Sequence, residues 1–74
     1  MSSRSVSVYA LPIELTQFMK FSGMAATGGD AKRAVTEGLV QVNGVVETRR
    51  GKKLENGDEV TFGGQTLVVA LQQG

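Results

Sequence analysis

A chain of 74 residues is long enough for one domain with a small core. At 41% hydrophobic and 20% charged it reads as a folded globule rather than a disordered tail. It has no cysteine and no histidine, which excludes disulfide staples, thiolate metal sites and the usual general base. No apolar run approaches the ~20 residues of a membrane span. The N-terminal segment has a cation but no apolar stretch behind it, so it does not read as a signal peptide. A cytoplasmic location is the expectation.

The elements follow in chain order. Val6 and Val8 alternate with Ser5, Ser7 and Tyr9, which predicts a short strand from Val6 to Ala10. Pro12 suits the first turn of a helix, where a missing N–H costs nothing. From Ile13 to Phe21, the residues Leu15, Phe18 and Met19 form an apolar stripe, and Gly23 is the expected stop. After Thr27-Gly28-Gly29, a second short helix is expected to open at Asp30 and run to about Glu37. Its buried face would be Ala31, Ala34 and Val35, with Gly38 ending it.

Asn43-Gly44 between Val42 and Val45 is a strong hairpin signal, because both turn residues tolerate positive φ. That loop pairs Val42 with Val45 and Val40 with Glu47. Asn56-Gly57-Asp58 forms a further turn. Gly63-Gly64 then turns the chain between Val60 and Phe62 on one strand and Leu67, Val69 and Leu71 on the next. The fold class is therefore α+β: two short helices packed on a small, mostly antiparallel β-sheet. Phe18 and Phe62 fall on core faces, which leaves few aromatics for stacking on bases.

Net charge is only +1, yet six of the eight cations lie between Gly29 and Gly57: Lys32, Arg33, Arg49, Arg50, Lys52 and Lys53. Concentrated positive charge on a small scaffold is what a phosphate backbone requires. Arg49-Arg50-Gly51-Lys52-Lys53 places four cations in five residues. They repel one another unless an anion joins them, and Gly51 is read as the bend that lets both pairs face one surface. Lys32 and Arg33 are expected near the positive end of the second helix. There the backbone N–H groups of Gly28, Gly29 and Asp30 would also suit an anion, unless the Asp30 carboxylate caps the helix itself. Lys20 either extends this patch or is an ordinary solvated lysine. Asn43 is read as turn chemistry, and Glu55, Asp58 and Glu59 as solvated.

At these residues the chain resembles the S-four, or alpha-L, RNA-binding domain family. The resemblance rests on Gly38-Leu-Val-Gln-Val-Asn-Gly44, with Glu37-Gly38 before it and Lys53-Leu54 and Gly57-Asp58 after it. It runs from about Ile13 to Phe62. Thr27-Gly28-Gly29-Asp30-Ala31-Lys32 is similar to the opening of the second helix in small stand-alone bacterial members. Many members have R-L-D at the first helix, where this chain has Glu14-Leu15-Thr16, and an arginine where it has Gly28. Both differences remove a cation.

The resemblance implies one domain over residues 1–74 that binds RNA through the second helix and the loop after the hairpin. The residues it implicates are Lys32, Arg33, Arg49, Arg50, Lys52 and Lys53, with Lys20, Gly28 and Gly29 beside them. The implied partner is structured RNA, ribosomal or transfer, within a ribosomal subunit or outside it. No cofactor, metal, membrane or small-molecule substrate is implied, and a monomer is expected. An enzyme is disfavoured, since no carboxylate pair stands in a catalytic arrangement. The alternative is a protein-interaction module docking an acidic or ribosomal protein. A sulfur carrier fits poorly, because the helices precede the main hairpin and the chain ends in Gln72-Gln73-Gly74.

Overall fold

The computed structural model describes residues 4–72. Strand β1 spans Arg4–Val8 and β2 spans Ile13–Glu14. Helices α1 and α2 cover Leu15–Ser22 and Gly28–Thr36. Then come β3 (Gln41–Val42), β4 (Val45–Val46), β5 (Lys53–Leu54), β6 (Glu59–Phe62) and β7 (Gln65–Leu71).

Five strands form one sheet in the order β1-β7-β6-β3-β4. Only β1 and β7 run parallel; the other neighbours are antiparallel. The predicted first strand lies earlier than expected and ends at Val8, because its register partners on β7 run from Leu67 to Leu71. Strands β2 and β5 form a separate two-stranded ladder, pairing Ile13 with Leu54 and Glu14 with Lys53.

That ladder moves the start of α1. Pro12 was expected in the first turn, but it sits in a cis peptide with Leu11, outside the helix. Glu14 is the N-cap residue and its side chain makes no capping bond. Instead the Leu15 N–H donates to the Lys52 carbonyl at 2.7 Å, so a neighbouring loop satisfies one of the donors that a helix start leaves unpaired. Gly23 closes α1 in the left-handed region at φ 85°, as its position predicts.

Helix α2 begins two residues before the expected Asp30. Thr27 is its cap: the Thr27 hydroxyl accepts the Asp30 N–H at 3.0 Å. The reading of Asp30 as the cap is thus corrected; it lies in the first turn, where its charge complements the helix dipole.

Phe18, Leu15 and Met19 of α1 and Ala31 and Val35 of α2 are fully buried. They meet Val40, Leu54, Val60, Leu67 and Val69 from the strands and loops in one core. The small Ala31 and Ala34 let the two helices pack closely. Both Asn43 (φ 53°) and Gly44 (φ 83°) adopt positive φ, and Gly63-Gly64 repeats the pattern at the β6–β7 turn. Among the described residues, no helix is long and apolar enough to cross a membrane.

Candidate nucleic-acid interface

The loop from Glu47 to Lys53 is held at both ends. The Glu47 N–H donates to the Val40 carbonyl at 2.9 Å, which extends the hairpin one step past β4. The Lys52 N–H returns to the Arg49 carbonyl at 3.2 Å, closing a turn with Arg50 and Gly51 at its corner. Lys52 then accepts from Leu15 through its carbonyl, and Lys53 enters the ladder with Glu14. The basic loop is thereby fixed to the N-terminal end of α1. Gly51 is absent from the positive-φ residues, and a Cβ there would meet nothing within 4 Å. The bend therefore does not depend on glycine, contrary to the expectation.

The six cations are not equivalent. Arg49 donates from Nε to Glu47 at 3.0 Å and from Nη2 at 3.4 Å, and its backbone N–H reaches the same carboxylate at 3.0 Å. These bonds, the side-chain one first, hold the Glu47 carboxyl below the usual carboxylate range and raise the Arg49 guanidinium. Lys53 Nζ lies 3.4 Å from Glu14. Among the described residues these are the two ion pairs, so Lys32, Arg33, Arg50 and Lys52 have no carboxylate partner. Arg50 is exposed at the turn and Lys52 half-buried.

On α2, Gly29, Lys32, Arg33 and Thr36 are all exposed at helical spacing, opposite the buried Ala31, Ala34 and Val35. The expectation that Lys32 and Arg33 crowd the positive end needs correction. With the helix starting at Gly28, Lys32 is its fifth residue and Arg33 belongs to the last turn, where a cation is favourable. Of the expected backbone donors, the Asp30 N–H is already taken by Thr27. Gly28 and Gly29 open the helix, with room for a side chain at both positions. Lys20 is exposed in the last turn of α1. Since α1 packs on α2 and is stitched to the loop through Leu15, both basic segments adjoin α1. No hydrogen bond or ion pair links their side chains among the described residues.

Asn43 does more than turn the hairpin. Its side-chain NH2 donates to Asp58 at 3.1 Å and its side-chain carbonyl accepts the Glu59 N–H at 2.9 Å. Its own N–H donates to the Glu59 carbonyl at 2.8 Å. The second Asp58 oxygen accepts the Glu55 N–H at 2.8 Å. Asp58, expected to be merely solvated, is therefore the bracket that fastens the Asn-Gly hairpin to the Gly-Asp turn.

Two helices packed on a mixed, mostly antiparallel sheet, with this hairpin and basic loop, define the alpha-L architecture. The chain belongs to the S4 domain family, whose model matches residues 6–70. It is similar to YbcJ of Escherichia coli (strain K12), provisionally described as an RNA-binding protein, at 40% identity over 57 residues, which is 77% of this chain and 81% of that protein. It is 39% identical over 59 residues to RlbA of Bacillus subtilis (strain 168), provisionally described as a ribosome maturation protein, covering 80% of this chain and 83% of RlbA. The solution structure of Escherichia coli YbcJ, presented as revealing an alpha-L motif involved in RNA binding, superposes with a TM-score of 0.69 at 37% identity. That match covers 89% of this chain and 85% of YbcJ.

Proposed function

We propose that this protein is a non-catalytic RNA-binding protein of the cytoplasm, acting as a monomer without cofactor. Its partner is structured RNA, ribosomal RNA before transfer RNA. The observation that carries the reading is a set of basic side chains, Lys32, Arg33, Arg50 and Lys52, that have no carboxylate partner among the described residues and lie on two segments adjoining α1. In a chain of net charge +1, four such cations on a rigid frame are matched by an external polyanion. Family membership and the descriptions of YbcJ and RlbA support the same reading. Arg49 and Lys53 contribute by exchanging their carboxylates for phosphate, and Lys20, Gly28 and Gly29 border the contact.

Protein docking on an acidic or ribosomal partner is the second reading. It is favoured by the exposure of Leu39, Val45 and Val46 around edge strand β4. Binding to protein-free ribosomal RNA separates the two. The RNA reading expects anisotropy of a labelled ribosomal RNA fragment to rise with the protein. A variant with Lys32, Arg33, Arg50 and Lys52 changed to Gln should stay folded and bind far more weakly. Full binding by the variant would overturn the site. Binding only to subunits that retain their proteins, and to no bare RNA, would favour docking.

A further inference from the structure

An apolar cleft of about 300 Å³ opens beside α1, a size at the lower end of small-ligand sites, roughly 300–1,000 Å³. Tyr9, Pro12, Ile13, Gln17 and Phe21 line it. Tyr9 is 79% exposed and Phe21 54%, although Phe18, one turn away, is fully buried. Two of the four aromatic residues of the chain thus stand in solvent around one cleft. Leaving them there forgoes hydrophobic stabilisation that a core position would give.

The polar groups of the cleft are equally specific. Gln17 lies one helical turn from Phe21, so both face the same side of α1, and its amide both donates and accepts. Lys20, three residues on, neighbours Gln17 on the helix surface and has no ion pair among the described residues. One wall of the cleft is tied to the end of the basic loop through the β2–β5 ladder. Its wall residue Ile13 pairs with Leu54, directly after Lys53, and Leu15 is bonded to the Lys52 carbonyl.

We propose that this cleft receives an unpaired nucleobase of the bound RNA, stacked on Tyr9 and Phe21, with Gln17 bonding the base edge and Lys20 the adjoining phosphate. The proposal rests on the RNA reading and adds a second mode to it: the basic segments take phosphates, and the cleft takes a base. A base carries an apolar face, a hydrogen-bonding edge and a nearby negative charge; the cleft matches the first two and the adjacent Lys20 the third. An aliphatic side chain from a protein would leave Gln17 and Lys20 unused.

Tyr9 is the only tyrosine and the chain has no tryptophan, so intrinsic emission reports on the cleft alone. The probes are an RNA hairpin with a single-stranded loop and a blunt, fully paired RNA duplex, each followed by anisotropy and by Tyr9 emission. The hairpin should quench Tyr9, whereas the duplex should bind without quenching. Phe21→Ala, at an exposed position, should weaken hairpin binding about tenfold and leave duplex binding unchanged. Hairpin binding with Tyr9 unquenched, or an equal effect of Phe21→Ala on both probes, would overturn the cleft proposal while the RNA reading stood. Absence of binding to either probe would overturn both. Quenching by ribosomal proteins but by neither RNA would assign the cleft to a protein side chain instead.

Discussion

Asn43 shows how one side chain joins two sequence signals. The sequence reveals its turn, because Asn-Gly between valines has few other uses. It does not reveal the bonds to Asp58 and Glu59, since spacing along the chain does not say which turn lies beside the hairpin. Asn43→Ala removes both side-chain bonds and puts a residue less tolerant of positive φ in the turn, and should cost about 1–3 kcal/mol in urea unfolding. An unchanged midpoint would show the bracket to be idle. Glu47 is the complementary case. Its pairing with Arg49 was invisible because the two residues read separately, as a strand end and as a basic run. Glu47→Gln frees Arg49 from the carboxylate it must otherwise leave on binding, so RNA affinity should rise a few-fold. Weaker binding would mean that the pair positions Arg49 for its ligand.

At the scale of elements, both helices, their buried faces and the hairpin were legible from apolar spacing and glycine placement. Their starts were less so. Thr27 and Asp30 are both good capping residues, and only the bond from the Asp30 N–H to the Thr27 hydroxyl decides between them. Thr27→Ala should therefore lower stability by ~1 kcal/mol, with thermal unfolding as the measure. The β2–β5 ladder escaped the sequence reading for a different reason. With two residues on each strand it has no period to detect, and it joins segments 39 residues apart through the Glu14–Lys53 contact. That ladder determines where α1 begins and where the basic loop sits. The aromatic cleft is not legible either: Phe21 lies at the edge of the helical stripe, and Tyr9 alternates with the valines of a strand that ends at Val8.

For the whole molecule, charge distribution matters more than net charge. The chain has no histidine, and the hydrogen bonds from Arg49 lower the Glu47 carboxyl below its ordinary value. A carboxyl with a depressed folded value stabilises the fold above its unfolded value, and the contribution is lost as pH falls through the folded value. At an exposed pair that contribution is small. RNA affinity should accordingly be flat between pH about 5.5 and 7.5; a pronounced maximum there would indicate a titrating group outside this scheme. Salt is the sensitive variable. The most direct measurement is the affinity for protein-free structured RNA over a series of salt concentrations, for wild type and for the variant with Lys32, Arg33, Arg50 and Lys52 changed to Gln. Losing these four contacts predicts a log–log slope shallower by about 3 in the variant, with the remainder set by Arg49, Lys53 and Lys20. A wild-type affinity independent of salt, or equal slopes for the two proteins, would contradict the assignment of phosphate binding to these four residues.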